Sequence, residues 1–514
     1  MLDNRHRTTR VTLLLTLAML TISACRSLPA LPGRDPTPTP VPSPTTASSP
    51  DWQNLEAYRL AMLPAAADDV HRIEHAPLYH IQARLDRSQA IPQIHAVQDT
   101  RYTNRTDAAL DFIYFRLFPN KPSYGSALTF HRITIDGIEP TIEYQAEKTA
   151  LGLALPQALE AGQSADVHME YDVTVPLDNA RGYGTFNFQN GVLLLSNFHP
   201  MVAVYDADGW NLSLAPDYGD PIYSETSFYT LELTAPQQDI VITSGSTLGK
   251  RENEDGTVTW TCVSGPMRDM MVVVSDRLSC SSTAVGFIRV NSYYLPEHKE
   301  TGETVLGYVR DGLRAYQQDF SAYPFAELDV VEAPLSAGGM EYPGLIMVAE
   351  SQYRAGGEYL EFVTAHEVAH QWWYSLVGND QVNQPWLDES LANYSIVHYY
   401  DYVYGRSRSE LAFQNYVRSR YQKALDLGHD NVVNQPVSAY TPEDYGYIVY
   451  GKGAVFFYEL RQRLGDERML AFLRAYLEDR KYKLSTPEDF LRVAEESTGE
   501  ELDSFYEQWI LSAK

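Results

Sequence analysis

His366-Glu367-Val368-Ala369-His370 constrains this 514-residue chain more than any other feature. Its surroundings, EYLEFVTAHEVAHQWWYSLVG, predict a helix that stops at Gly378. Residues four apart share a helix face, so both imidazoles can meet one divalent cation. Glu367 stands beside that cation instead of on it, where a general base for water belongs. A catalytic zinc needs a third protein ligand and an open fourth position. Gln384-Pro385-Trp386-Leu387-Asp388-Glu389-Ser390 opens a second predicted helix, with Pro385 near its first position. Eighteen residues separate His370 from Glu389. A helix end, a loop and a new helix fit in that interval, so Glu389 can swing back onto the metal. Its alternative is the usual fate of a glutamate, a solvated helix carboxylate.

The chain around this element divides into two rhythms. From about Ala76 to Ser282, segments such as LYHIQARL, DFIYFRLF, VHMEYDVTV and FYTLELT alternate or are rich in β-branched and aromatic residues. They predict a β-sandwich or saddle-shaped sheet. From about Val305 the spacing becomes helical, interrupted by the strands LDVVEA and LIMVA. The fold class expected is multidomain α+β: a β domain over 51–282, then a mainly helical catalytic domain with a small sheet over 283–514. Residues 51–75, with WQNLEAYRLAML, read as a helix leading into the first domain.

The N-terminus reads as an address. Arg5, Arg7 and Arg10 precede a mostly apolar stretch from Val11 to Ala24, too short to span a bilayer. Ile22-Ser23-Ala24-Cys25 is similar to a bacterial lipobox. Residues 1–24 are thus expected to be a signal peptide and Cys25 a lipidated N-terminus, anchoring the protein outside the bacterial cell membrane. Residues 26–50 hold eight prolines and eight Ser/Thr, the composition of a semi-extended tether, so that 25–50 is an anchored linker. The net charge of −27 argues against nucleic acid as a partner. In an exported protein Cys262 and Cys280 pair if their strands are neighbours and stay separate buried thiols if not; sequence leaves both open.

Two further motifs join the HEVAH–WLDES pair. Gly338-Gly339-Met340-Glu341-Tyr342 lies upstream of the helix, and Tyr450-Gly451-Lys452-Gly453-Ala454 lies downstream. Together they resemble the gluzincin metallopeptidases of the aminopeptidase N type, which include the leukotriene hydrolase. The resemblance covers roughly residues 76–514, most securely 320–460. It implies a thermolysin-like catalytic domain holding one Zn²⁺ on His366, His370 and Glu389, with Glu367 as general base. It implies Tyr450 as the oxyanion donor, and Gly338, Gly339, Met340 and Glu341 as the substrate-binding segment, Glu341 taking the free α-amino group of a peptide. Tyr445 and Tyr447 compete with Tyr450, which alone has the Lys-Gly-Ala register after it. Asn393, one turn beyond Glu389, is a partner of a zinc ligand or a plain polar helix residue; Trp372 and Trp373 pack the zinc helix. The sequence departs from the family at Tyr342, where an asparagine is usual, and at its end, Lys514, where many members continue into a helical domain that closes over the site. The function implied is a zinc aminopeptidase acting on extracellular peptides. Its alternatives are an endopeptidase or broader hydrolase on the same site, and a non-catalytic binding protein reusing the fold.

Overall fold

The computed structural model describes residues 50–177 and 182–513. The expected signal peptide, Cys25 and nearly all of the tether lie outside the described residues. Among those described, no helix is long and apolar enough to cross a membrane.

The first half is built from strands whose side chains alternate between core and solvent. Gln93–Thr103 shows this period along its length. It lies inside a seven-stranded sheet, ordered Ser246–Glu252, Thr257–Val263, Phe228–Pro236, Leu78–Asp86, Gln93–Thr103, Ser164–Thr174, Ala127–Ile135. Leu78–Asp86 runs parallel to Phe228–Pro236, and the other pairs are antiparallel. A four-stranded sheet containing Leu110–Arg116 and Ala150–Leu159 shares its core: Ile81, Ile94 and Val167 of the first sheet cluster with Phe115, Leu151 and Leu153 of the second. This is the expected sandwich.

A third sheet explains the run Met270-Met271-Val272-Val273-Val274, which does not alternate. Val272–Ser275 pairs with Ile240–Thr243 and Val192–Leu195. Val272 and Val274 face the sandwich core, while Val273 and Leu194 face a different cluster with Val331, Leu345 and Met347 of the second half. A strand covered on both faces has no polar side to show.

The second half starts on a five-stranded sheet ordered Ser279–Val285, Ile288–Tyr294, Glu327–Ala333, Leu345–Ala349, Gly339–Met340. The expected division between residues 282 and 283 falls inside its first strand. Helices Lys299–Asp319, Gly357–Ala369 and Trp386–Tyr404 stack beside it around one large apolar cluster. The first two approach so closely that a Cβ on Gly312 would lie 3.2 Å from Val368. The Tyr316 hydroxyl donates to the Ala365 carbonyl across the same contact, at 2.9 Å. Helix Pro487–Thr498 begins as its sequence suggests, with a capping box between Thr486 and Asp489.

Two expectations need correction. Residues 51–75 form only a one-turn helix, Glu56–Arg59, and a 3-10 stretch, Pro64–His71. The backbone between them pairs elsewhere: Leu63 N–H donates to Pro324 O, and Ala326 N–H to Ala61 O. The HEVAH helix ends at Ala369, not at Gly378. Beyond it Tyr374 takes a φ of 124°, a strained value for a bulky residue. Arg268, wholly buried, reaches over from the β half and holds this turn. Its guanidinium donates to the carbonyls of Tyr374 (2.7 Å), Leu376 (3.3 Å), Lys483 (2.6 Å) and Ser224 (3.3 Å). Gly378 is where that guanidinium passes; a Cβ there would lie 2.1 Å from its central carbon. Burial lowers the Arg268 pKa to about 10, so it stays charged at neutral pH.

Of the two arrangements left open for the cysteines, the structure shows the unbonded one. Cys262 is buried on a central strand of the seven-stranded sheet, and Cys280 is exposed on the first strand of the five-stranded sheet. Their strands, with Val272–Ser275 between them in sequence, belong to different sheets. A thiol reagent is therefore expected to label Cys280 in the folded protein and Cys262 only after unfolding. A non-reduced peptide map containing a 262–280 crosslink would contradict this assignment.

Candidate metal centre and the cleft above it

The last turn of helix Gly357–Ala369 presents His366, and His370 follows at its C-cap. The two Nε2 atoms lie 3.1 Å apart. Glu389, in the first turn of helix Trp386–Tyr404, places Oε2 3.2 Å from His366 Nε2 and 3.4 Å from His370 Nε2. All three side chains are buried. Ligands held at 2.0–2.1 Å around a tetrahedral zinc stand about 3.3 Å from one another, so the triangle has the right size.

The surroundings favour an ion over a hydrogen-bonded cluster. The His370 Nδ1 faces the Trp373 carbonyl at 2.9 Å. That carbonyl accepts only from a protonated Nδ1, so in the neutral ring the Nε2 lone pair is aimed into the triangle. Glu389 Oε2 has no hydrogen-bond partner despite its burial. A carboxylate oxygen and an imidazole lone pair converging without a donor between them are the setting for a cation. The ion is zinc, one per chain.

The carboxylate is also fixed from behind. Glu389 Oε1 accepts from the Tyr450 hydroxyl. Asp388 accepts from the Glu389 N–H at 2.8 Å and from Gln381 at 2.8 Å. Gln381 in turn donates to Glu341 at 2.8 Å, so one amide side chain ties the zinc-ligand helix to the GGMEY segment. Gln371 ties the other side, accepting from Gly344 N–H (2.9 Å) and donating to Tyr342 O (3.1 Å). Gln381 and Gln371 carried no motif of their own; only their place next to the ligands makes them matter.

Gly339–Met340 of the GGMEY segment forms the edge strand of the five-stranded sheet. A Cβ on Gly339 would lie 2.2 Å from Glu367 Oε1, so only glycine lets the strand pass over this carboxylate. Gly338 lines the cleft and Glu341 is buried in its wall. Met340 points the other way, into the cluster of Leu345 and Met347, so its side chain does not line the cleft. Tyr342 is buried, and its hydroxyl donates to Ser196 Oγ of the β half at 2.5 Å. Glu341, Glu367 and His370 bring ligand-type atoms within 4.8 Å of one another. Burial, reinforced by the charge of Glu341, pushes the Glu367 carboxyl well above the ordinary range. Burial likewise raises Glu341.

Tyr450 sits in a π-turn, Ile448–Gly453, with its ring 5.9 Å from that of His366. The zinc-ligand helix holds this turn: Ser390 Oγ donates to Val449 O and Asn393 Nδ2 to Tyr450 O, both at 2.7 Å. Asn393 therefore positions Tyr450 through its backbone and is no idle polar residue. Gly453 is needed because a Cβ would meet Ser390 Oγ at 2.0 Å. Lys452 is a buried strut, 3.0 Å from Asp430 and bonded to the carbonyls of Asn431 and Ser512. Trp372 and Trp373 are core residues, as expected; their ring N–H groups bond Ser321 and Ser395.

Above these groups lies a cavity of about 260 Å³. Two lining residues come from the β half, Tyr183 and Asp220, and sequence reading missed both. Burial, then the charges of Glu341 and Glu389, push the Asp220 carboxyl well above its usual range. No linear signal marks Asp220, since it reaches the cleft only when the two halves pack.

Residues 306–509 match the family described as "Peptidase family M1 domain". The chain is 32% identical over 190 residues to aminopeptidase N of Lactococcus lactis subsp. lactis, covering 34% of this chain and 22% of that protein. It is 23% identical over 356 residues to endoplasmic reticulum aminopeptidase 2 of Bos taurus, covering 66% of this chain and 36% of the relative. The chain thus spans well under half the length of these curated relatives. The fold is similar to that of an M1 zinc metallopeptidase from Deinococcus radiodurans, with a TM-score of 0.61, 17% identity, and coverage of 85% of this chain and 93% of that one. The converging ligands, the two flanking motifs and these matches agree: residues 306–509 match the Peptidase family M1 domain, and in this region the chain is similar to aminopeptidases of the aminopeptidase N type.

Proposed function

We propose that the protein is a zinc aminopeptidase that removes N-terminal residues from peptides outside the cell. The carrying observation is the triangle of donor atoms 3.1–3.4 Å apart with the buried carboxylates of Glu367 and Glu341 beside it. Zinc, when bound there, supplies a Lewis acid and makes water acidic near neutral pH.

The chain's own groups do the rest. Glu367 is the proton carrier: it accepts a proton from the attacking water and returns it to the departing amine. A carboxyl whose acidity is weakened by burial suits a group that must both take and give. Tyr450 keeps its phenolic proton, because burial and the charge of Glu389 hold its pKa well above the usual value. Its single O–H, which rests on Glu389 Oε1, can turn to the carbonyl oxygen as negative charge builds there. Gly338 and Gly339 leave an open strand edge along which a peptide backbone can lie. Glu341, buried in the wall of the cleft, is held back from ionising by its surroundings. A substrate ammonium beside Glu341 favours its ionised form and pairs with it, and this favours peptides with a free amino end.

Glu367→Gln is expected to lower kcat/KM by about 10²–10⁴-fold, the usual scale for a lost acid–base group, with one zinc per chain retained by elemental analysis. Full activity in this variant would remove the mechanism, and an inert wild-type protein would return the chain to the binding-scaffold reading. Chelation should abolish turnover and zinc add-back restore it.

Glu341→Gln should weaken turnover of a free-amine peptide by about 10-fold or more, the scale of one charged hydrogen bond, and leave an N-acetylated peptide little affected. Equal wild-type turnover of free and blocked peptides would favour the endopeptidase reading instead.

The proposal extends to location. Residues 1–24 are the export signal and Cys25 the lipid-bearing residue, on the support of the Ile22-Ser23-Ala24-Cys25 sequence. Cys25→Ser should move the protein from the membrane to the soluble fraction; unchanged membrane retention would refute the anchor.

A further inference from the structure

A second polar cavity, of about 320 Å³, shares no lining residue with the cleft. It lies where helix Lys299–Asp319 ends and helix Asp466–Arg480 begins, against the side of helix Trp386–Tyr404. His398 and Asp401 of the last helix line it. His398 stands nine positions beyond Glu389 on that helix, about 13 Å along its axis, too far to touch the zinc triangle.

His398 has the surroundings of a metal ligand. It is 95% buried, and its Nδ1 faces Asp319 Oδ2 at 2.7 Å. Burial lowers its pKa, so at neutral pH the ring is uncharged and its one proton lies on Nδ1, toward the carboxylate. Nε2 then holds a lone pair, and this buried atom has no hydrogen-bond partner. A carboxylate behind one imidazole nitrogen and a bare lone pair on the other is the arrangement that orients histidines on metals. Asp319 is itself pinned: Gln318 donates to its second oxygen at 3.3 Å, and Arg474 holds its backbone carbonyl at 2.7 Å. Asp401 follows His398 by three positions, on the same helix face. Among the described residues its carboxylate makes no hydrogen bond or salt bridge, and its charge acts on His398 and Arg461 through space. The Arg461 guanidinium is engaged elsewhere, with Nε 2.6 Å from Asp466, which also accepts from Arg406 at 3.0 Å. The lining thus sets three carboxylates against one guanidinium and leaves one carboxylate and one imidazole nitrogen uncommitted.

We infer that this cavity is a second metal site, in which His398 Nε2 and the Asp401 carboxylate take a divalent ion that favours imidazole, such as zinc, with water completing its shell. Calcium and magnesium suit it less, since both prefer shells of oxygen alone. With two protein ligands instead of three it is weaker than the catalytic centre and exchanges its ion with solvent. An ion held there ties the far half of the zinc-ligand helix to the end of helix Lys299–Asp319, because Asp319 holds the ligating ring from behind. The inference stands apart from the aminopeptidase reading, since nothing in it requires turnover.

The test titrates Zn²⁺ by calorimetry into the protein already carrying its first zinc. The wild type should bind a further equivalent with a Kd below about 1 mM, and excess Mg²⁺ or Ca²⁺ should not displace it. Asp319→Asn and Asp401→Asn should each weaken that equivalent by about tenfold or more, and His398→Gln should abolish it. All three should keep the first zinc by elemental analysis. Cu²⁺ added to the zinc-loaded wild type should show nitrogen superhyperfine lines in its electron paramagnetic resonance spectrum, and these should be lost in His398→Gln. If His398→Gln does not fold, Asp401→Asn decides alone, since that side chain is part-exposed and its change is nearly isosteric. A wild-type protein that takes up no further equivalent overturns the inference. So does an equivalent that keeps its full affinity in Asp401→Asn or in folded His398→Gln, because it then lies on surface histidines or beside the first zinc.

Discussion

The structure depends on one electrostatic constraint: two imidazole nitrogens and a carboxylate oxygen are held face to face inside a dry wall. Such a group repels solvent-free closure unless a cation sits within it. Much of the nearby hydrogen bonding serves to keep the three from turning away. The Trp373 carbonyl sets the tautomer of His370. Asp388 and Tyr450 hold opposite ends of the Glu389 segment. Removing any one would free a ligand to rotate toward a hydrogen bond of its own, and the metal site would lose its preorganisation.

The β half takes part in this arrangement. Arg268 leaves the sandwich to hold a strained turn just past His370, and four carbonyls bind it there. The carbonyl that orients His370 belongs to the residue before Tyr374, so the sandwich bears on the metal through a short path. Asp220 and Tyr183 bring a second contribution, closing one side of the cleft. The two halves therefore share one site, which is consistent with a sheet buried between them on both faces.

Much of this was legible in the linear chain. The i, i+4 histidines fall on one face of any helix, whatever surrounds it. Alternation marked the sandwich strands, and the two glycines before Met340 marked a bare backbone. The misreadings came where local pattern met a distant partner. The helical spacing of residues 51–62 was real, but the backbone of residues 324–326 took its hydrogen bonds. The apolar stretch after His370 reads as more helix, yet Arg268 competes for its carbonyls and ends it early. Cys262 and Cys280 are separated by one strand in sequence and belong to different sheets in space.

Sequence alone determined the two histidines and the proton carrier, because their spacing is imposed by the geometry of a single helical turn. It also carried the tyrosine register and the glycines that clear a path for substrate. Tertiary structure decided that Glu389 returns to the histidines, that Gln381 and Asn393 pin the flanking segments, and that Tyr183 and Asp220 reach the cleft from the β half. Those residues lie on elements tens to hundreds of positions apart. Their charges and hydrogen bonds acquire meaning only when packing removes the water between them.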